Sequence, residues 1–155
     1  MVRDAQPSID SRSVPDLSSD SVLAALRDGL VTLGFTVEAG KKKADRIRRP
    51  VLFGEQGIER VAYEVDAVHD ELGVVVEVEA GRGARGNAVY RDLIRTSLIV
   101  GADYLALGVM QAYHHMSGGR RIMVASYFDA KAQIDAIYAS GRLQLPFEGL
   151  LLFGY

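Results

Sequence analysis

Apolar and polar positions alternate twice across residues 62–80, and the rest of the pattern is arranged around that stretch. Tyr63, Val65 and Ala67 share one parity, and Glu64 and Asp66 the other. Beyond a turn at residues 69–73, Val74, Val76 and Val78 share one parity, and Val75, Glu77 and Glu79 the other. Period-two alternation predicts two strands, and the short turn predicts an antiparallel hairpin. Upstream, Val22, Leu23, Leu26, Leu30 and Leu33 recur at helical spacing, which predicts a helix over 19–33 stopped by Gly34. Short strands are expected at 35–38 and 51–53. Downstream, Val89, Leu93, Thr96 and Val100 form one stripe of a helix over 87–100, with Asn87 as its cap. Residues 104–110 are apolar almost throughout, as in a strand covered on both faces. A loop over 111–120, a strand over 122–127 and a helix over 129–140 closed by Gly141 follow. Residues 150–153 are too apolar for a free end and belong in the domain or in a subunit interface.

A helix between the hairpin and the next strand makes a crossover connection. The fold class is therefore α/β, a mixed central sheet flanked by helices. Residues 1–18, rich in Ser, Asp, Arg and Pro, are expected to form a flexible N-terminal tail, and 19–155 a single domain.

The hairpin carries the candidate chemistry. A register that sets Asp66 opposite Glu77 also sets Glu64 opposite Glu79, so four carboxylates crowd one face. Like charges directly opposite are destabilising. A hard divalent cation relieves them, because Mg²⁺ prefers carboxylate oxygens. The bland alternative is a solvated acidic face. Such a face usually mixes in Lys, Arg or Thr, and none stands between Tyr63 and Ala80.

Asp66, then Glu77-Val78-Glu79 closing a Val-rich strand, then a Gly-rich turn and a helix, resembles the PD-(D/E)xK nuclease superfamily. Glu79 takes the place of the usual lysine. With the helix NAVYRDLIRTSLIV and the strand YLALGVM, the chain is most similar to Glu-x-Glu type II restriction endonucleases of the BamHI and BglII kind. Val65 stands where a proline often precedes the aspartate. The resemblance implies a restriction-endonuclease-like α/β fold and a Mg²⁺-dependent endonuclease hydrolysing DNA, with Mn²⁺ as a substitute ion. Asp66, Glu77 and Glu79 would be the catalytic and metal-holding residues, with Glu64 as an outer partner.

The formal net charge is −2, so any DNA contact must come from a local patch. Residues 41–49 carry six positive charges and one negative: Lys41, Lys42, Lys43, Arg46, Arg48 and Arg49 against Asp45. They are candidate phosphate contacts, or else a solvated charge run. Arg82 and Arg85, in the Gly-rich turn after Glu79, are placed to hold a phosphate beside the carboxylates. The absence of Cys excludes disulfides and thiolate metal sites, and it fits a cytoplasmic protein. No membrane span, secretion signal or organic-cofactor fingerprint is legible. Duplex DNA and a second copy, as a homodimer, are the expected partners. Two rival readings stand beside the nuclease: a non-catalytic nucleic-acid- or protein-binding module, and a carboxylate metal enzyme acting on a small phosphoester.

Overall fold

In the computed structural model, which describes residues 1–14, 16–81 and 87–155, a five-stranded mixed sheet forms the centre. The chain enters through helix α1 (Val2–Ile9) and helix α2 (Ser19–Thr32). Strand β1 (Thr36–Val37) follows, then a ribbon of β2 (Ile47–Phe53) and β3 (Glu59–Val65). Next come β4 (Ala67–His69), β5 (Val74–Glu79), α3 (Ala88–Ser97) and β6 (Tyr104–Val109). A second ribbon, β7 (Tyr113–Ser117) and β8 (Arg120–Val124), leads into α4 (Ser126–Ser140) and the last strand, β9 (Gly149–Gly154). The central order is β1-β4-β5-β6-β9, and the two ribbons are separate two-stranded sheets.

Strand β5 divides the core by its pleat. Val76 and Val78 face α2 and join Leu23, Leu26 and Leu30, at roughly 2 kcal/mol of burial per side chain. Val75, on the opposite parity, joins Val89 and Leu93 of α3 and Ile134 of α4. Glu77 and Glu79 continue the face of Val75, so both acids emerge on the α3 side of the sheet. Strands β5, β6 and β9 run parallel, and β4 pairs antiparallel with β5. Glu79 is thus the last residue of a parallel strand, at the carboxyl edge where ligands of open α/β sheets bind.

Ser18 caps α2 by accepting from the Ser21 N–H at 3.1 Å, and Gly34 leaves the helix at φ +90°. Three features depart from the sequence pattern, and the apolar end lies within the domain. Residues 1–18, expected as a flexible tail, contain α1, with Ile9 and Ser11 buried. Ser11 Oγ accepts from the Gln111 and Ala112 N–H groups, which anchors the segment to the chain beyond β6. The first arm of the hairpin is two strands. β3 pairs with β2, only β4 pairs with β5, and Asp66 occupies the break. Residues 113–117 are a strand where a loop was expected, because Gly118 and Gly119 both take positive φ and close a two-residue turn. The apolar end is β9, buried largely by its own sheet with Leu150 and Leu152 against the core, while Leu151 stays exposed.

Candidate active site

The β4–β5 pairing runs Ala67↔Val76, Val68↔Val75 and His69↔Val74. Continued by one step, it sets Asp66 opposite Glu77, the register that the alternation predicts. The chain then turns away into β3, so Glu64 does not reach Glu79. It pairs instead with Arg48 in the ribbon, and its carboxylate meets the Arg46 guanidinium. Asp66 is held at the break by two bonds. Its carboxylate accepts from the Val78 N–H at 2.7 Å, and its carbonyl accepts from the Glu38 N–H at 2.8 Å.

Asp66, Glu77 and Glu79 line one cleft of about 250 Å³, together with Asp20, Glu38, Arg91, Asp92 and Arg95. Asp92 is a further carboxylate of this cleft, which Glu64 also lines, and it is almost fully buried. On α3 it falls at the spacing of Val89, Leu93 and Thr96, the inward stripe, and that spacing was the available signal. Arg91 is the partner of Asp92, donating from Nε at 2.9 Å. The same guanidinium binds Glu79, so Arg91 bridges the two acids. Arg95 stacks over the Tyr63 ring at 4.9 Å and donates to the Glu64 carbonyl. Tyr155, the buried last residue, donates its hydroxyl to the Glu79 carbonyl at 2.7 Å, fixing the end of β5.

The electrostatics follow from this crowding. Burial is the largest cause of Asp66 moving up to about 6, with Glu38 and Asp92 adding to it and the Val78 N–H opposing it. Glu77 is pushed well above the carboxylate range by burial and then by Asp66. Glu79 rises to about 8 through burial and then Asp92, against the pull of Arg91. This chemistry suits a hard divalent cation, since the donors are all carboxylate oxygens and their charges need neutralising. The side chains are paired elsewhere, however, Asp66 to a backbone amide and Glu79 to Arg91. No three Asp, Glu or His side chains among the described residues gather closely enough to hold an ion in these rotamers.

The basic candidates divide. Lys41 and Arg46 line the cleft, where they pair with Asp20 and Glu64. Arg48 and Arg49 are turned to Glu59 and Asp70. Lys42 and Lys43 are exposed and outside the cleft lining. Arg82 and Arg85 lie outside the described residues. No helix among the described residues is long and apolar enough to cross a membrane. Comparison with protein-family models, with curated proteins and with solved structures gives no match to the chain.

Proposed function

We propose that this protein is a Mg²⁺-dependent endonuclease with a restriction-endonuclease-like fold, hydrolysing DNA phosphodiester bonds. One observation carries the reading. Asp66, Glu77 and Glu79 share one cleft, at a strand break and at the carboxyl end of a parallel strand. The run β4, β5, α3, β6, with Asp66 just ahead of β4 and Glu79 at the end of β5, supports the likeness.

Asp66 and Glu77 would hold the ion, and Glu79 would join them once Arg91 releases it. A bound divalent cation supplies positive charge to the scissile phosphate and acidity to a water molecule. Glu79 would serve either as that further ligand or, once ionised, as the base that takes the proton of the attacking water as the new P–O bond forms and the bridging P–O bond breaks, the leaving oxygen taking its proton from solvent. The freed Arg91 guanidinium faces the phosphate and offsets its charge. One site cuts one strand, so cutting both strands of a duplex calls for a homodimer with two-fold symmetry.

A specific observation favours a second reading. Arg91 already pairs with both Glu79 and Asp92, as it would in the polar core of a non-catalytic nucleic-acid- or protein-binding module. Incubation with supercoiled plasmid, single-stranded DNA and RNA, each with Mg²⁺, Mn²⁺ or Ca²⁺, separates the two. Nicking or linearisation that needs Mg²⁺ or Mn²⁺ and vanishes in Glu77→Gln is the expected result. Intact substrates in every condition would leave the module.

A further inference from the structure

The basic residues expected to meet DNA are mostly engaged by the chain's own acids, as Lys41, Arg46, Arg48 and Arg49 are. The second ribbon is different. No Asp or Glu stands between Asp103 and Asp129, although the chain as a whole is acidic. Within that stretch β7 and β8 carry His114, His115, Arg120 and Arg121. Arg120 and Arg121 are exposed and pair with no described residue. The tip turns through Gly118 and Gly119, and a Cβ built at either would find nothing within 4 Å, so it projects freely.

The pairings His114↔Met123 and Met116↔Arg121 put His114, Met116, Arg121 and Met123 on one face, while Arg120, paired with Ser117 beside the tip, points to the other, so the two arginines flank the ribbon on both sides. The His114 face and the turn at Ser11, Arg12 and Ser13 enclose a cleft of about 490 Å³. The ribbon is also anchored beside the candidate active site. The Tyr113 ring lies 3.8 Å from where a Cβ of Gly81 would stand, two residues beyond Glu79. A smaller cavity of about 200 Å³ runs between Gly81, Met110, Tyr113 and His114.

We propose that the β7–β8 ribbon is a DNA-gripping arm that enters a groove of the duplex beside the cleavage site, with Arg120 and Arg121 on the nucleic acid. This rests on the nuclease reading and extends it to a second contact surface. The dimensions fit: five residues per strand span roughly 17 Å, and a two-stranded ribbon is admitted by the major groove. The charge fits as well, because the arm is locally cationic in an acidic chain, as a polyanion's partner must be. Gly118-Gly119 keeps the tip slim enough to approach base edges or backbone.

The test is fluorescence anisotropy of a labelled duplex without divalent metal, over a range of salt, for wild type, Arg120→Ala/Arg121→Ala and Arg120→Lys/Arg121→Lys. Circular dichroism checks folding, and calorimetric Mg²⁺ titration of each protein runs beside it. The alanine pair should bind at least about tenfold more weakly at 0.1 M salt, with a salt slope about two units shallower, as expected for two lost phosphate contacts. The lysine pair should keep the slope, and Mg²⁺ affinity should be unchanged in both. Equal affinity and slope in the alanine pair would overturn the proposal and leave the arginines as guards of open strand edges. A wild type that binds Mg²⁺ but not DNA would overturn the arm while sparing the metal site. Binding of neither would end both.

Discussion

Four carboxylates and one arginine decide how the cleft behaves. Asp66, Glu77, Glu79 and Asp92 share the cleft, and Arg91 bridges Glu79 and Asp92. Asp66 and Glu79 hold protons more tightly folded than unfolded, at about 6 and about 8. Folding therefore takes up protons between pH of about 4 and about 8, and stability declines as pH rises through that window. For Asp66 the ceiling is about 3 kcal/mol, from its rise from 3.8 to about 6. Urea unfolding without metal at pH 5 and pH 8 should show the decline, and Asp66→Asn should flatten it. A wild type equally stable at both values would contradict the crowding. Arg91→Gln should act in the opposite sense. It leaves Glu79 and the buried Asp92 without their cation and should lower apo stability by about 2 kcal/mol or more. At this scale alternation offered four carboxylates on one face, of which Asp66 and Glu77 are opposed as expected while Glu64 is drawn away from Glu79 to Arg46. Asp92 was not legible, because a single acid on an otherwise apolar helical stripe looks like a polar exception until the helix is docked.

The elements explain both what the pattern revealed and what it hid. The β4–β5 register follows from alternation, because a one-residue slip would turn Val76 and Val78 away from α2. The division of the first arm at Asp66 was hidden, because β3 and β4 continue one alternation without interruption while their partners differ. The basic run likewise continues into β2, where Arg48 and Arg49 find Glu59 and Asp70 across or beyond the ribbon. Neutralisation of that kind depends on tertiary placement. The turn that sets the register rests on Gly73, at φ +61°. A Cβ there would come within 2.7 Å of the Gly101 carbonyl and of the Asp103 carboxylate. Gly73→Ala should thus destabilise the protein by about 2 kcal/mol or more through strain and overlap, measured by chemical unfolding. Unchanged stability would mean that the turn relaxes without loss of register.

For the whole molecule, the mixed α/β architecture was readable because helices and strands alternate with clear periods. The docking of residues 1–18 was not, whereas the burial of residues 150–153 was. α1 is anchored by Ser11 and Ile9, and β9 with Tyr155 closes the far edge of the sheet, both through contacts remote in sequence. β9 pairs with β6 on one side only and leaves Leu151 exposed at the sheet's edge, and two sites should come together on duplex DNA. Sedimentation velocity at micromolar protein should show two copies per duplex, and a strict monomer with and without DNA would contradict cleavage of both strands. Asp66, Glu77 and Glu79 are proposed to form a divalent-metal site held ready by mutual repulsion. Calorimetric titration with Mg²⁺ and Mn²⁺ of wild type and Glu77→Gln tests it most directly. Wild type should bind at millimolar metal or below and release protons. Glu77→Gln should lose that binding while its apo form is as stable as wild type or more so, because one buried repulsive charge is gone. A wild type that binds neither ion, or a Glu77→Gln protein that binds as wild type does and is markedly less stable without metal, would show that these carboxylates serve structural hydrogen bonds.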